Sequence, residues 1–150
     1  MKSKSTYEMS VSYKRSMLSE PISTLVTRSS DAATYLREIY DEDKIEYCES
    51  FYALFLNRRN QIFGYNQISS GGITGTVADP RMILQLALLS NATGIILSHN
   101  HPSGQLKPSA QDLALTQKVK NAASFMDIQI TDHIIMTKES FYSFADEGQL

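Results

Sequence analysis

The alternation of apolar and polar residues predicts a chain in which strands and helices interleave. Runs rich in β-branched and aromatic residues, several of them alternating with period two, predict strands over Met9–Lys14, Glu49–Asn57, Gln61–Ser69, Gly94–Ser98, Ile128–Met136 and Phe141–Phe144. Apolar residues spaced three and four apart predict helices over Asp31–Tyr40, from Pro80 to about Asn91, and from Ser109 to about Phe125. Candidate N-caps precede these helices, namely Ser29 or Ser30, Asp79, and Ser109.

The segment Glu49–Asn57 predicts a central strand, because both of its faces are apolar and both are therefore expected to be covered. A turn over Asn57–Asn60 joins it to Gln61–Ser69 as an antiparallel hairpin. An antiparallel pair within a chain of alternating strands and helices does not fit a purely parallel sheet. The pattern predicts an α/β (α+β) fold with a mixed sheet flanked by helices.

The stretch Ser98–Asp112 carries the candidate chemistry. His99 and His101 stand at the end of a buried strand, where residues i and i+2 point to the same side. Prolines and a glycine then force an irregular loop, and Asp112 follows in the first turn of the helix that Ser109 opens. Two imidazoles and one carboxylate can therefore converge. Three protein ligands with a fourth position for water is the pattern of catalytic zinc.

Structural interpretations of the same residues stay open. A His-x-His pair alone is weak evidence for a metal, and Ser109-x-x-Asp112 is also typical of a helix N-cap with an acidic residue near the positive end of the helix dipole. The two interpretations are compatible, since a cap can fix the helix that aims the carboxylate. The combination of strand, His-x-His-Pro, loop and Ser-x-x-Asp favours a metal site.

His99-x-His101-Pro102 followed by Ser109-x-x-Asp112 resembles the JAMM (MPN+) metalloprotease motif. The string His-Asn-His-Pro-Ser-Gly with Pro-Ser-x-x-Asp behind it is similar to the RadC branch of that family, in which six residues rather than seven separate the proline from the motif serine. The resemblance covers residues 46–150 and implies a RadC-like JAB/MPN domain of the cytidine deaminase-like class. Residues 1–45 are interpreted as an N-terminal extension with a short strand and a helix.

The resemblance also implies a reaction. Zinc (Zn2+) held by His99, His101 and Asp112 would lower the pKa of a water to about 7 and activate it for attack on an amide carbonyl. A glutamate at the first strand of the hairpin would act as general base. Glu49 fits that place, and Glu46 is the alternative.

Three further residues near the candidate ligands are assigned expected roles. The resemblance implies that Ser109 hydrogen-bonds the oxyanion that develops on the substrate. His133, in the middle of a strand, is interpreted as a structural histidine rather than a fourth ligand. Asp132 could orient a ligand imidazole from outside the ligand set.

Length and composition limit the number of domains, the class of partner and the cellular compartment that we expect. The 150 residues suffice for one domain with its own core, and a net charge of −2 argues against DNA binding by this domain alone. The single Cys48 can form no disulfide within the chain, which fits a reducing cytoplasm. No apolar run is long enough to span a bilayer, and the N-terminus lacks the apolar core of a secretory leader. We expect a cytoplasmic protein that meets no membrane; the oligomeric state stays open.

Two functions from different classes follow. The first is a zinc-dependent metallopeptidase or isopeptidase acting on a peptide or protein. The alternative is a DNA-repair or mobile-element accessory protein that binds a partner without hydrolysis, since RadC-like proteins carry a DNA-repair label. An HNH nuclease is disfavoured, because its His, Asn and His are spread over a ββα unit rather than adjacent.

Overall fold

The computed structural model of the protein describes residues 8, 10, 12, 24–72 and 77–150. The predicted strand over Met9–Lys14 lies outside the described residues, apart from Ser10 and Ser12. The described elements are α1 Ser29–Ile39, β1 Ser50–Leu56, β2 Ile62–Ser70, α2 Pro80–Leu89, β3 Gly94–Asn100, α3 Ala110–Ser124, β4 Gln129–Met136 and β5 Phe141–Ser143.

The five strands form one sheet in the order β2-β1-β3-β4-β5. β1 is antiparallel to both β2 and β3, β3 is parallel to β4, and β4 is antiparallel to β5. The sheet is therefore mixed, as the hairpin predicts. A parallel pair needs a crossover connection, and α3 supplies it between β3 and β4.

Both faces of the sheet are covered because β1 is apolar on both sides. Phe51, Ala53 and Phe55 belong to a core that includes residues of α2 and α3. The alternate residues of β1 belong to a second core with α1, namely Tyr52, Leu54 and Leu56. The result is a three-layer arrangement with one helix on one face and two on the other, which confirms the predicted mixed sheet flanked by helices.

Two of the three predicted N-caps are confirmed. The Asp79 carboxylate accepts from the backbone N–H of Arg81 at 2.9 Å, and the Ser109 hydroxyl accepts from that of Asp112 at 3.1 Å. The prediction for α1 is wrong, because Ser29 and Ser30 lie inside the helix and Arg28 occupies the cap position.

The first turn of α1 is capped by the Asp31 carboxylate instead. It accepts from the backbone N–H groups of Thr27 at 2.8 Å and Arg28 at 3.2 Å. These bonds hold the pKa of Asp31 at about 2, the bonds from Thr27 contributing most. A carboxylate three residues into the helix thus does what a serine just before it would do.

The inner face of α3 differs from the predicted one. Apolar spacing predicts that five residues of this helix face inward or partly so, namely Leu113, Leu115, Val119, Ala122 and Ala123. Val119 and Ala123 are buried as predicted, but Leu113 is 39% exposed and Thr116 is buried in addition. Residues four apart share a face of a helix, so turning Asp112 toward the sheet also turns Thr116 inward and moves Leu113 to the outside.

A register shift in β4 decides which side chains meet α3. Ile95 pairs with Ile130, but Leu97 pairs with His133, so β4 contributes one extra residue between the two pairs. Without the shift, Ile130 and His133 would point to opposite faces, because they are three positions apart and side chains alternate along a strand. The shift places His133 on the α3 face of the sheet.

Asn100 ties β3 to the segment that leads into β1. Its side-chain amide donates to the carbonyls of Ile45 at 2.7 Å and Cys48 at 2.9 Å, and its side-chain oxygen accepts from Ser50 N–H at 2.7 Å. The side chain is fully buried. One amide therefore fixes the backbone on both sides of Glu49.

We expect Asn100→Ala to lower the free energy of unfolding by about 1–3 kcal/mol, because it leaves buried backbone groups without partners. Urea denaturation followed by circular dichroism measures this loss. Asn66→Ala, at an exposed position on β2, is the matched control and should change stability by less than about 0.5 kcal/mol. Equal effects of the two substitutions would contradict the anchoring role of Asn100.

Candidate metal centre

The first two candidate ligands lie at the end of β3 and directly after it. His99 is its sixth residue, pairs with Phe51 of β1 and Ile135 of β4, and is 1% exposed. His101 follows the strand, and its backbone N–H donates to the Met136 carbonyl at 3.0 Å. The two imidazoles point to the same side as predicted, and their Nε2 atoms lie 2.9 Å apart.

Asp112 brings the carboxylate from the first turn of α3. Its Oδ1 lies 3.3 Å from His99 Nε2, and its Oδ2 lies 3.5 Å from His101 Nε2. Ser109 holds this carboxylate in place, because its backbone N–H and its hydroxyl both donate to Oδ2 at 2.7 Å. The capping interpretation and the ligand interpretation of Asp112 are thus compatible in one geometry.

The three candidate ligand atoms fit a bound cation. One atom each from His99, His101 and Asp112 lies within 4.8 Å of the others. His101 Nδ1 is 2.7 Å from the Gln105 carbonyl, which can only accept, so its proton lies on Nδ1 and its Nε2 carries a lone pair. A bare nitrogen, a second imidazole and a carboxylate at such distances are stabilised by a proton or a metal ion between them.

The pKa values of this cluster reflect the same proximity. The hydrogen bond with Asp112 raises the pKa of His101, although partial burial opposes the rise. Burial raises the pKa of Asp112, but its interactions with the neighbouring His101 and His99 imidazoles outweigh burial and hold the pKa well below its usual value. The carboxylate is therefore ionised, as a metal ligand must be.

Glu49 and Glu46 occupy different surroundings. The Glu49 side chain lines a cleft of about 360 Å³ together with His101 and Ser109, and its charge contributes to the raised pKa of His101. Glu46 is exposed and forms an ion pair with Lys138 at 3.1 Å. Of the two candidate bases, Glu49 is the one beside the ligand cluster, while its role as base stays a prediction.

The Ser109 hydroxyl also faces this cleft, but its hydrogen is directed to Asp112. Contact with an oxyanion would require the hydroxyl to rotate away from the carboxylate. The oxyanion role of Ser109 stays a prediction, and the structure adds a second role in orienting Asp112.

A family match agrees with this geometry. The family model for the RadC-like JAB domain matches residues 26–149. The chain belongs to the RadC-like JAB domain family. The match includes α1, which the sequence analysis assigned to an N-terminal extension; the division of the chain at residue 46 stays a prediction.

Relatives of this RadC-like JAB domain come from several bacteria. It is 46% identical over 123 residues to a UPF0758 protein of Flavobacterium johnsoniae, covering 82% of this chain and 52% of the relative. It is 43% identical to a UPF0758 protein of Porphyromonas gingivalis, covering 68% of this chain and 45% of the relative. With the UPF0758 protein YfjY of Escherichia coli K12 the identity is 40%, over 68% of this chain and 64% of the relative. The chain spans about half the length of the first two relatives, and these names state no activity.

In this RadC-like JAB domain, sequence reasoning missed Thr116 and interpreted His133 as a structural histidine without placing it against His99. His133 Nε2 lies 2.8 Å from His99 Nδ1, and Thr116 Oγ1 lies 2.6 Å from His133 Nδ1. The Asp132 side chain accepts from Ser143 Oγ at 2.6 Å and from Ala145 N–H at 3.0 Å, so its bonds run away from the ligands. The available signal was the spacing of Thr116, four residues after Asp112 on the same helix face.

In the described part of the chain, no helix combines the length and apolarity needed to cross a bilayer. The expected cytoplasmic location stays a prediction.

The two shifted pKa values predict how pH acts on metal-free protein. The raised pKa of His101 contributes stability below the usual histidine value of 6.5, and this contribution is lost as pH rises through the raised value. The lowered pKa of Asp112 contributes stability above 3.8, which is lost only as pH falls through the lowered value. The pair therefore contributes most between about pH 4 and 6.5.

We expect His101→Ala to destabilise chelator-treated protein by about 1 kcal/mol near pH 5.5 and by much less near pH 9. Urea denaturation of both proteins across this range measures the difference. Asn66→Ala, remote from the pair, should follow the wild-type profile at every pH. A difference between wild type and His101→Ala that is constant from pH 5 to 9 would contradict the pairing.

Proposed function

We propose that this RadC-like JAB domain is a zinc-dependent metallopeptidase or isopeptidase of the JAMM type, acting on a peptide or protein. The observation that carries the proposal is that Glu49 lines the same open cleft as His101, a member of the His99, His101 and Asp112 cluster. Residues that directly flank β1, β3 and α3, namely Glu49, His101 and Ser109, meet at this cleft although Glu49 is far from the other two in sequence. A metal site that only stabilised the fold would need no further carboxylate beside its ligands.

The donor set favours zinc. Two imidazole nitrogens and one carboxylate oxygen are common zinc ligands, and three protein ligands leave a position for water or substrate. Zinc bound there would act as a Lewis acid and activate a water for amide hydrolysis. We infer zinc from the chemistry of these candidate ligands alone. Metal analysis of the purified protein tests this inference directly.

The protein's own residues supply the remaining functions. Glu49 would accept a proton at the cleft and return it to a leaving amine, as a general base that becomes a general acid. His99 is buried, whereas His101 lies at the wall of the cleft, so substrate reaches the site from the His101 side. Ser109, Gln105 and Lys107 give that wall polar groups for a peptide backbone.

One observation favours the alternative of an accessory protein that binds a partner without hydrolysis. The Ser109 hydroxyl donates to Asp112 rather than into the cleft, so it offers no hydrogen to an oxyanion in this arrangement. We rank this alternative second, because a binding function gives no reason for Glu49 to stand beside the cluster. A DNA-repair connection would then rest on the partner that the protein binds.

Zinc content is the first test. Protein purified without chelator should contain about one zinc per chain, as measured by inductively coupled plasma mass spectrometry. His99→Ala combined with His101→Ala should abolish binding, because it removes both nitrogen ligands. Wild-type protein that takes up no zinc at saturating concentration and mildly alkaline pH would refute the zinc assignment.

Glu49→Gln is the second test, because it separates an enzyme from a zinc-dependent scaffold. The amide nearly matches the carboxylate in size but cannot accept the proton. We expect zinc content and unfolding free energy to remain, while hydrolysis of a substrate found in a peptide and isopeptide library falls by about 10² to 10⁴.

Glu46→Gln is the matched control for Glu49→Gln, since Glu46 pairs with Lys138 away from the cleft. It should leave the rate within about twofold of wild type. Full activity of Glu49→Gln would show that the base is assigned wrongly. Zinc-loaded wild type that cleaves nothing in the library would favour the accessory function.

A further inference from the structure

A buried histidine lies directly behind His99, on the side away from the cleft. His133 is fully buried, and its Nε2 lies 2.8 Å from His99 Nδ1. On its other side, His133 Nδ1 lies 2.6 Å from the Thr116 hydroxyl. The Thr116 hydroxyl in turn lies 2.6 Å from the backbone carbonyl of Asp112. Three hydrogen bonds therefore connect two candidate ligands through the interior of the protein.

The direction of these bonds follows from the number of hydrogens available. A carbonyl can only accept, so the single hydrogen of the Thr116 hydroxyl is donated to Asp112. Thr116 Oγ1 must then accept from His133, which places the His133 proton on Nδ1. The Nε2 of a neutral His133 consequently carries a lone pair and accepts from His99 Nδ1–H. His99 is left with a bare Nε2, the atom that faces His101 and Asp112.

Packing keeps His133 in the orientation that this order requires. Its ring stacks on Phe144 with centroids 4.5 Å apart and meets Phe51 edge-on at 5.6 Å. The His99 ring stacks on the other aromatic partner, Phe51, at 5.9 Å. Aromatic contacts of this kind hold ring planes in defined orientations. Neither imidazole can rotate without displacing a phenylalanine of the core.

We propose that Thr116 and His133 are positioning residues that fix His99 as its Nδ1–H tautomer and so keep His99 Nε2 free to bind the metal. The inference rests on the metal site of the proposed function. Histidine ligands commonly donate their second N–H to a carboxylate or a carbonyl. Here a neutral imidazole takes that place, and its own tautomer is set by one threonine hydroxyl.

The hydrogen bonds through Thr116 and His133 mean that α3 contributes to the candidate metal site in two ways. Its first turn supplies the Asp112 carboxylate, and its second turn supplies the hydroxyl that orders the protons of the two histidines. A change at Thr116 therefore acts on His99, which it does not touch, rather than on the cleft. The ligand site should weaken while the cleft residues remain unchanged.

The tautomers of the wild-type protein test the order of hydrogens without any substitution. Long-range ¹H–¹⁵N correlation spectra distinguish the two neutral tautomers of each imidazole. In chelator-treated protein at mildly alkaline pH, we expect His99 and His133 to carry their protons on Nδ1. A proton on Nε2 of either residue would overturn the proposal.

Thr116→Val tests the consequence for the metal, because valine keeps the shape but removes the hydroxyl. His133 can then hold its proton on Nε2 and donate to His99, which moves the His99 proton onto the ligand atom. We expect the zinc dissociation constant, measured by competition with a chromophoric chelator, to rise about 10- to 100-fold. The spectra should show His99 and His133 with protons on Nε2.

Thr116→Ser and Thr93→Val separate positioning from packing. Serine retains the hydroxyl, so Thr116→Ser should restore zinc affinity to within about threefold of wild type. Thr93 donates to the Leu56 carbonyl at 3.3 Å at the opposite end of β3, so Thr93→Val should leave zinc affinity unchanged. Equal weakening by the serine and valine variants at position 116, or wild-type affinity in Thr116→Val, would refute the positioning role.

These outcomes differ from failure of the proposed function. If wild type binds no zinc, the metal site itself is refuted, and the positioning role falls with it. If wild type binds zinc and Thr116→Val binds it equally, only the positioning role fails. If zinc binding and tautomers behave as expected but no substrate is cleaved, the positioning role stands and the hydrolase assignment fails.

Discussion

Hydrogen bonding of β3 to a strand on each side is the constraint on which the rest of the structure depends. All seven of its residues are buried, and it pairs antiparallel with β1 and parallel with β4. Its odd and even residues therefore enter two separate cores, and its last residues cannot move apart from either neighbour. His99 inherits its direction from this ladder, and His101 is held by one more backbone bond to β4. The geometry of the candidate metal centre is thus set by sheet pairing.

Burial on this scale makes the polar groups of the site depend on one another. In the described part of the chain, every buried side-chain nitrogen or oxygen has a hydrogen-bond partner. Such groups cost free energy when they lose a partner, so the arrangement around His99 tolerates few alternatives. Burial also lowers the pKa of His133 well below its usual value, which keeps that ring neutral. The geometry of such a site therefore depends on the residues packed behind the candidate ligands as much as on the candidate ligands themselves.

Much of the fold and of the candidate site was predictable from the sequence, because rules that act over a few neighbouring residues determine it. The apolar faces of β1, the caps at Asp79 and Ser109, and the meeting of His99, His101 and Asp112 follow from periodicity, capping and strand geometry. The contact of His133 with His99 does not, because it depends on one extra residue in β4 that no local pattern marks. The exposure of Leu113 was mispredicted for a related reason. Apolar spacing alone cannot show that a carboxylate, rather than a leucine, faces the sheet.

The hydrogen bonds of the Asn100 side chain have a consequence for the geometry of the candidate site. Asn100 stands between the two candidate histidine ligands in sequence, yet its side chain points to the opposite face and holds the backbone on either side of Glu49. The backbone around the candidate base is therefore joined to the strand that carries the candidate histidine ligands by a single buried amide. The spacing between Glu49 and these histidines is set within the sheet and not by the surface loops of the cleft. The remaining candidate ligand, Asp112, comes from α3, and the hydrogen bonds through Thr116 and His133 tie that helix to the same strand.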